Sequence, residues 1–149
     1  MKFETSAGGV VLRKTQDKFS KKNTWDVLLV QHSQHHGWGF PKGLVDEGED
    51  TKTTALREVN EEGGVQAKII HELSPAEYFY KLEGETIKKK VFYFLMEYLS
   101  GDPEDHDWEM EAANWVPIEK VEETLSFASD KKIFQAVVEY LKKEFGLSE

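Results

Sequence analysis

The segment GLVDEGEDTKTTALREVNEEGGV, residues 43–65, constrains the fold more than any other stretch of the chain. It carries seven carboxylates (Asp46, Glu47, Glu49, Asp50, Glu58, Glu61 and Glu62), yet residues 50–62 read as a helix with Asp50 or Thr51 at its N-cap. Neighbours on a helix are separated by roughly 100°. Glu58, Glu61 and Glu62 therefore share one edge, and Ala55, Leu56 and Val59 fill an adjacent sector that can pack on a sheet. Like charges at these spacings cost an isolated helix about 0.2–0.5 kcal/mol per pair. Local stability gives no reason for the arrangement.

A solvated acidic face is the ordinary fate of such a charge run. Two features point elsewhere. Gly63 and Gly64 let the chain turn sharply after Glu62, and GFPKGLVDEGE places Gly and Pro where backbone approaches a neighbour closely. Carboxylates beside exposed backbone make an oxygen-donor site, which selects Mg²⁺ or Mn²⁺ over soft metals.

The rest of the chain alternates strand and helix signals without strict order. Strands are expected over residues 4–13, in TWDVLLVQH (24–32), VQAKIIHEL (65–73), AEYFYKL (76–82), TIKKKVFYFLMEYL (86–99) and ANWVPI (113–118). The 86–99 strand is apolar on both faces in its second half, which predicts a central position. Residues 14–23, the loop SQHHGWGFPKG and the acidic SGDPEDHDWEMEAA read as connections, and IEKVEETLS as a short helix. A final helix follows from Phe134, Val137, Val138, Leu141 and Phe145, with Asp130 as its cap and Gly146 as its end. No repeat or long linker divides residues 1–149, so the expectation is one domain, an α/β sandwich on a mixed sheet.

Composition narrows the function. With no cysteine there are no disulfides, thiolate metal sites or thiol nucleophiles, which fits a reducing cytoplasm. No apolar run reaches membrane-spanning length and the N-terminus lacks a signal-peptide pattern, so a cytoplasmic protein without a membrane partner is expected. The net charge of −9 argues against DNA and other long polyanions as partners. A small anion remains a candidate if metal ions neutralise it locally.

Residues 43–65 resemble the signature of the Nudix hydrolases, G-x5-E-x7-R-E-U-x-E-E-x-G-U with U aliphatic. Gly43, Glu49, Arg57, Glu58, Val59, Glu61, Glu62, Gly64 and Val65 fill every fixed position. AGGVVL, GWGFPKG and EAANWVPIEK extend the likeness over most of the chain. The resemblance implies a Nudix-type α/β/α sandwich and hydrolysis of a nucleoside diphosphate linked to another group. It implies divalent ions, Mg²⁺ with Mn²⁺ as a substitute, held by Glu58, Glu61, Glu62 and the Lys42 carbonyl. Arg57 would orient the glutamates together with Glu49. A further glutamate from a late loop is expected at Glu109, six residues before Trp115, with Glu111 as the second choice. Glu58 and Glu109 are both candidates for the base that takes a proton from water.

Specificity lies outside the signature. GWGFPKG, Tyr78–Phe79–Tyr80 and KKKVFYFLMEY look most like the asymmetric diadenosine tetraphosphate hydrolases, which release ATP and AMP. Tyr80 is the first candidate for stacking an adenine, followed by Tyr78 and Trp38, although strand packing explains one of the tyrosines equally well. Lys42, Lys89 and Lys90 are candidates for the distal phosphates; His32, His35 and His36 are weaker ones. Three other readings stand beside this one. An RNA 5′-pyrophosphohydrolase needs only the RNA 5′ end to enter. A diphosphoinositol polyphosphate hydrolase needs a more basic pocket than Lys88–Lys90 supplies. A nucleotide sensor without turnover would not need all three glutamates.

Overall fold

A computed structural model describes residues 1–146. Its elements are β1 (Lys2–Gln16), β2 (Asn23–His32), β3 (Trp38–Gly39), β4 (Lys42–Leu44), α1 (Thr51–Gly63), β5 (Val65–Glu72), β6 (Ala76–Leu82), β7 (Glu85–Gly101), β8 (Met110–Pro117), α2 (Ile118–Thr124) and α3 (Ala128–Phe145). A single 3₁₀ turn at Pro103–Asp105 interrupts the β7–β8 connection.

All the strands join one mixed sheet. Its main path runs β3-β2-β1-β7-β5, with β4 on β1, β6 on β7 and β8 on β2. The only parallel pair among the described residues is β1 with β7, in register from Lys2–Ile87 to Leu12–Glu97. β1 pairs on its other side with β4 at Ser6–Gly8 and with β2 at Leu12–Gln16. The sheet is therefore split beside β1 at Gly9, whose N–H donates to the Pro41 carbonyl (3.1 Å).

Both faces of the central strands are covered, which explains their near-continuous apolar runs. On one face Ala7, Val11, Leu28, Phe94 and Met96 pack against Ala55 and Val59 of α1. On the other, Val10, Leu12, Val27, Tyr93 and Leu95 meet Val121 of α2 and Ile133, Phe134, Val137 and Leu141 of α3. Alternating residues thus serve opposite layers, giving the expected α/β/α sandwich.

Several expectations shift. β1 continues through Gln16 rather than ending at residue 13, because Arg13 pairs with Asp26 (3.0 Å) and Thr15 bonds Thr24 (2.6 Å) across the hairpin. The Asp17 carboxylate, accepting from the N–H groups of Phe19 and Ser20, closes its tip. Leu56, expected in the packing seam of α1, is 38% exposed; Thr54, Ala55, Glu58, Val59 and Glu62 take the inner face. Asp130 does not cap α3. The helix starts three residues earlier, after Phe127, and Asp130 is buried in its first turn. Gly146 does end α3, in the left-handed conformation at φ 63°. Among the described residues no helix is long and apolar enough to cross a membrane.

Candidate active site

α1 is fixed at both ends by its own sequence. Asp50 is the N-cap, its Oδ1 accepting from Thr53 N–H at 2.7 Å. Gly64 closes the other end at φ 74°, donating to the Asn60 carbonyl at 2.9 Å. A side chain at Gly64 would also overlap the Asp102 carbonyl. The 102–109 loop is thereby held against the end of α1, and Asp107 N–H donates to the Glu61 carbonyl at 2.8 Å.

Arg57 organises the carboxylates. Its Nε and Nη2 grip both oxygens of Glu49 (2.9 and 3.0 Å). Nη1 donates to Glu58 Oε1 (2.8 Å) and Glu61 Oε2 (3.2 Å), and Nη2 to the Leu44 carbonyl (3.2 Å). Asp46 lies 3.3 Å from Nη2. The fork of Arg57 holds Glu49 down at about 2, with a hydroxyl bond from Thr54 adding to the effect.

Glu58 and Glu62 turn inward and are each 8% exposed. Burial raises the pKa of Glu58 against the opposing effect of Arg57; Glu61 and Glu109 push the same way as burial. Burial lifts Glu62 further, to about 8, although its Oε1 accepts from Lys42 N–H at 3.1 Å. Gly43 is a glycine because Glu58 lies directly under it: a Cβ there would overlap the Glu58 carboxylate. Gly43→Ala is expected to displace Glu58 and destabilise the fold by about 1–3 kcal/mol, with a matching drop in turnover; thermal melts and steady-state rates check this.

This donor set fits a hard divalent cation. Among the described residues Oε2 of Glu58, Oε1 of Glu61 and Oε2 of Glu62 accept no hydrogen bond. The carboxylate edge has one arginine to balance it, and burial disfavours the charge on two of its members. The side chains do not yet converge: among the described residues no three Asp, Glu or His groups already surround a common point. Glu109 lies close enough for its charge to raise Glu58, whereas Glu111 sits with His36 Nδ1 at 3.2 Å.

A cleft of about 880 Å³ opens beside this edge, on the α3 side of the sheet. Lys42, Glu62, Tyr78, Tyr80 and Lys89 all line it. The tyrosine rings are 6.4 Å apart, and Tyr80 donates to Glu4 Oε1 at 2.6 Å. Tyr78 is also packed against the larger core, so it serves both the packing and the cleft. The Lys42 ammonium acts on Glu62, Asp130, Lys89 and His35 alike, which places it centrally. Three expected residues do not join the cleft lining: His36, which sits with Glu111, Trp38 and Lys90. Trp38 packs on the larger core, and Lys90 points to the opposite face, 4.0 Å from Glu77 and over the ring of Phe92. His32 and His35 line the cleft as a stacked pair, ring centroids 4.5 Å apart. Sequence reasoning missed Glu4 and Phe127, which carry no motif, and misassigned Asp130, whose place in a first helical turn looked like a cap.

The NUDIX domain model matches residues 3–137. The chain is 30% identical over 143 residues to the putative mutator protein MutT4 of Mycobacterium tuberculosis, covering 94% of this chain and 56% of that protein. It spans only 34–36% of several other curated relatives. It is 30% identical over 141 residues to the asymmetrical bis(5′-nucleosyl)-tetraphosphatase of Rattus norvegicus, covering 91% of this chain and 94% of that one. Among solved structures it is similar to a Caenorhabditis elegans Ap4A hydrolase binary complex, with TM-score 0.71, 24% identity, and coverage of 94% and 98%. With the signature complete, the sandwich formed and the family model matching nearly the whole chain, the protein belongs to the Nudix family.

Proposed function

We propose that this chain is a divalent-metal-dependent pyrophosphohydrolase acting on dinucleoside polyphosphates, diadenosine tetraphosphate foremost, with ATP and AMP as products. One observation carries the reading: Glu62 belongs both to the carboxylate edge of α1 and to the wall of the aromatic, lysine-bearing cleft. A polyphosphate in that cleft would meet the edge directly. The likeness to the rat tetraphosphatase supports the substrate class.

In this reading Glu58, Glu61 and Glu62, with the Lys42 carbonyl and Glu109, hold Mg²⁺ or Mn²⁺. Bound there, the metal would neutralise phosphate oxygens and lower the pKa of water. Arg57 sets the orientation of Glu58 and Glu61 while Glu49 fixes Arg57 itself. Lys42 and Lys89 face the polyphosphate. Lys89 is desolvated, which lowers its pKa and strengthens its pull on an anion. Tyr80 and Tyr78 offer aromatic surface to an adenine, worth about 1–3 kcal/mol per stacked base. Glu58 or Glu109 takes the proton of the attacking water. Residues 1–149 act as one catalytic unit.

A substrate panel with product identification tests this. Diadenosine tetraphosphate should give ATP and AMP with Mg²⁺ and nothing with EDTA. Two molecules of ADP would contradict the asymmetric cut, and turnover in EDTA would remove the metal from the mechanism. Faster release of pyrophosphate from 5′-triphosphorylated RNA would move the assignment to an RNA end.

A further inference from the structure

Asp130 is a buried acid that the proposed chemistry leaves without a task. It is 5% exposed, in the first turn of α3, and it lines the same cleft as Tyr78, Tyr80 and Lys89. Its Oδ1 accepts from the Tyr93 hydroxyl at 3.1 Å. Among the described residues its Oδ2 accepts no hydrogen bond. That oxygen lies over Gly39, where an added Cβ would stand only 2.7 Å from it, and Gly39 also lines the cleft. Oδ2 opens on the cleft rather than into the packed core, so a molecule entering there meets an acceptor oxygen that no protein donor occupies. Tyr78, half-buried in the cleft wall, is close enough to feel the charge of Asp130. The cleft thus sets an aromatic face beside one free acceptor.

Oδ2 is the oxygen left without a donor, and the exocyclic amine of adenine can supply one to it alone. The N1–H and N2–H₂ pair of guanine would have to share Oδ1 with Tyr93. Resting on the reading of the cleft as a nucleotide site, we propose that Asp130 Oδ2 accepts a hydrogen bond from the 6-amino group of an adenine stacked against Tyr78, making Asp130 the residue that selects the base. Gly39 leaves the room for it, and Tyr93 fixes its orientation.

The test is equilibrium binding, with Mg²⁺ present, of AMP, purine riboside 5′-monophosphate and GMP, none of which contains a pyrophosphate bond to be cut. Purine riboside 5′-monophosphate differs from AMP by the 6-amino group alone. The wild-type protein should bind AMP about tenfold or more tightly than the purine analogue, as expected for a charge-assisted hydrogen bond. Asp130→Asn can still accept from Tyr93 but turns an amide toward the base. It should erase the AMP advantage to within about twofold while leaving the analogue's affinity unchanged. Equal wild-type affinities for AMP and the analogue would overturn the inference without any variant having to fold. So would equal weakening of both by Asp130→Asn, the mark of a purely structural residue. Tighter, Asp130-dependent binding of GMP would overturn the choice of adenine. If none of the three binds, the nucleotide reading of the cleft fails and this inference fails with it.

Discussion

Replacing Glu62 by Gln is expected to remove turnover by at least about a hundredfold while stabilising the metal-free protein at alkaline pH. The loss of turnover follows from the proposed ligand role, since a neutral amide is a poor donor to a hard cation and several kcal/mol of charge stabilisation disappear with it. The gain in stability follows from burial. Glu62 is raised from 4.5 to about 8 in the folded chain, so the native state holds this proton more tightly than the unfolded one. Its contribution is fully present below about 4.5 and is lost as pH rises toward 8, by on the order of a few kcal/mol. Gln is neutral throughout and can still accept from Lys42 N–H. The melting temperatures of variant and wild type in EDTA should therefore diverge with rising pH, the variant above. If Glu62 is a ligand as proposed, Mg²⁺ affinity is expected to rise with pH up to about 8, because the ion would have to displace the proton of Glu62. A stability gap independent of pH would contradict the burial of Glu62, and full activity in the variant would contradict its place at the metal.

Arg57→Ala should produce the largest structural loss. It leaves Glu49, Glu58, Glu61 and Asp46 without their shared cation. Most of the cost falls on Glu58, which is 8% exposed, and is expected to reach about 3 kcal/mol at neutral pH. Turnover should fall about 10–100-fold as Glu58 and Glu61 lose their orientation. Arg57→Lys should rescue little, since an ammonium cannot reproduce the fork that grips both oxygens of Glu49 while reaching Glu58. Acid titration gives an independent check. Glu49 is held at about 2, so its link to Arg57 is intact above about 4.5 and is lost as pH falls toward 2. Denaturation followed across that window should show this loss in the wild type and not in Arg57→Ala. An Arg57→Ala variant as stable and active as wild type would remove Arg57 from the organising role.

How far the sequence alone reached can be seen at particular residues. The carboxylate edge was legible because helical periodicity is local: Glu58, Glu61 and Glu62 share an edge wherever α1 sits. Asp50 or Thr51 and the Gly63–Gly64 pair marked the ends of α1 for the same reason, capping being decided within a few residues; the folded chain uses Asp50 and Gly64. The central place of β7 followed from its two apolar faces. The polar end of β1 was less legible, because Thr15 becomes a strand residue only when a partner strand supplies the hydrogen bonds. Leu56 was assigned to the core by its hydrophobicity, but the sheet contacts α1 through Ala55 and Val59, one step around the helix.

The sequence by itself determined that one helix presents three carboxylates with an arginine among them, since that depends on spacing alone. Only the tertiary structure decided which of the three are buried, that Gly43 is small because Glu58 lies beneath it, and that Glu62 faces the cleft. It also separated Lys89 from Lys90, because neighbours along a strand point to opposite faces and the packing of α3 selects the face on which the cleft opens. Asp130 shows the limit most sharply. Its sequence context describes a helix start, and its position 37 residues from Tyr93 becomes a hydrogen bond in a cleft wall only once α3 folds back over β7.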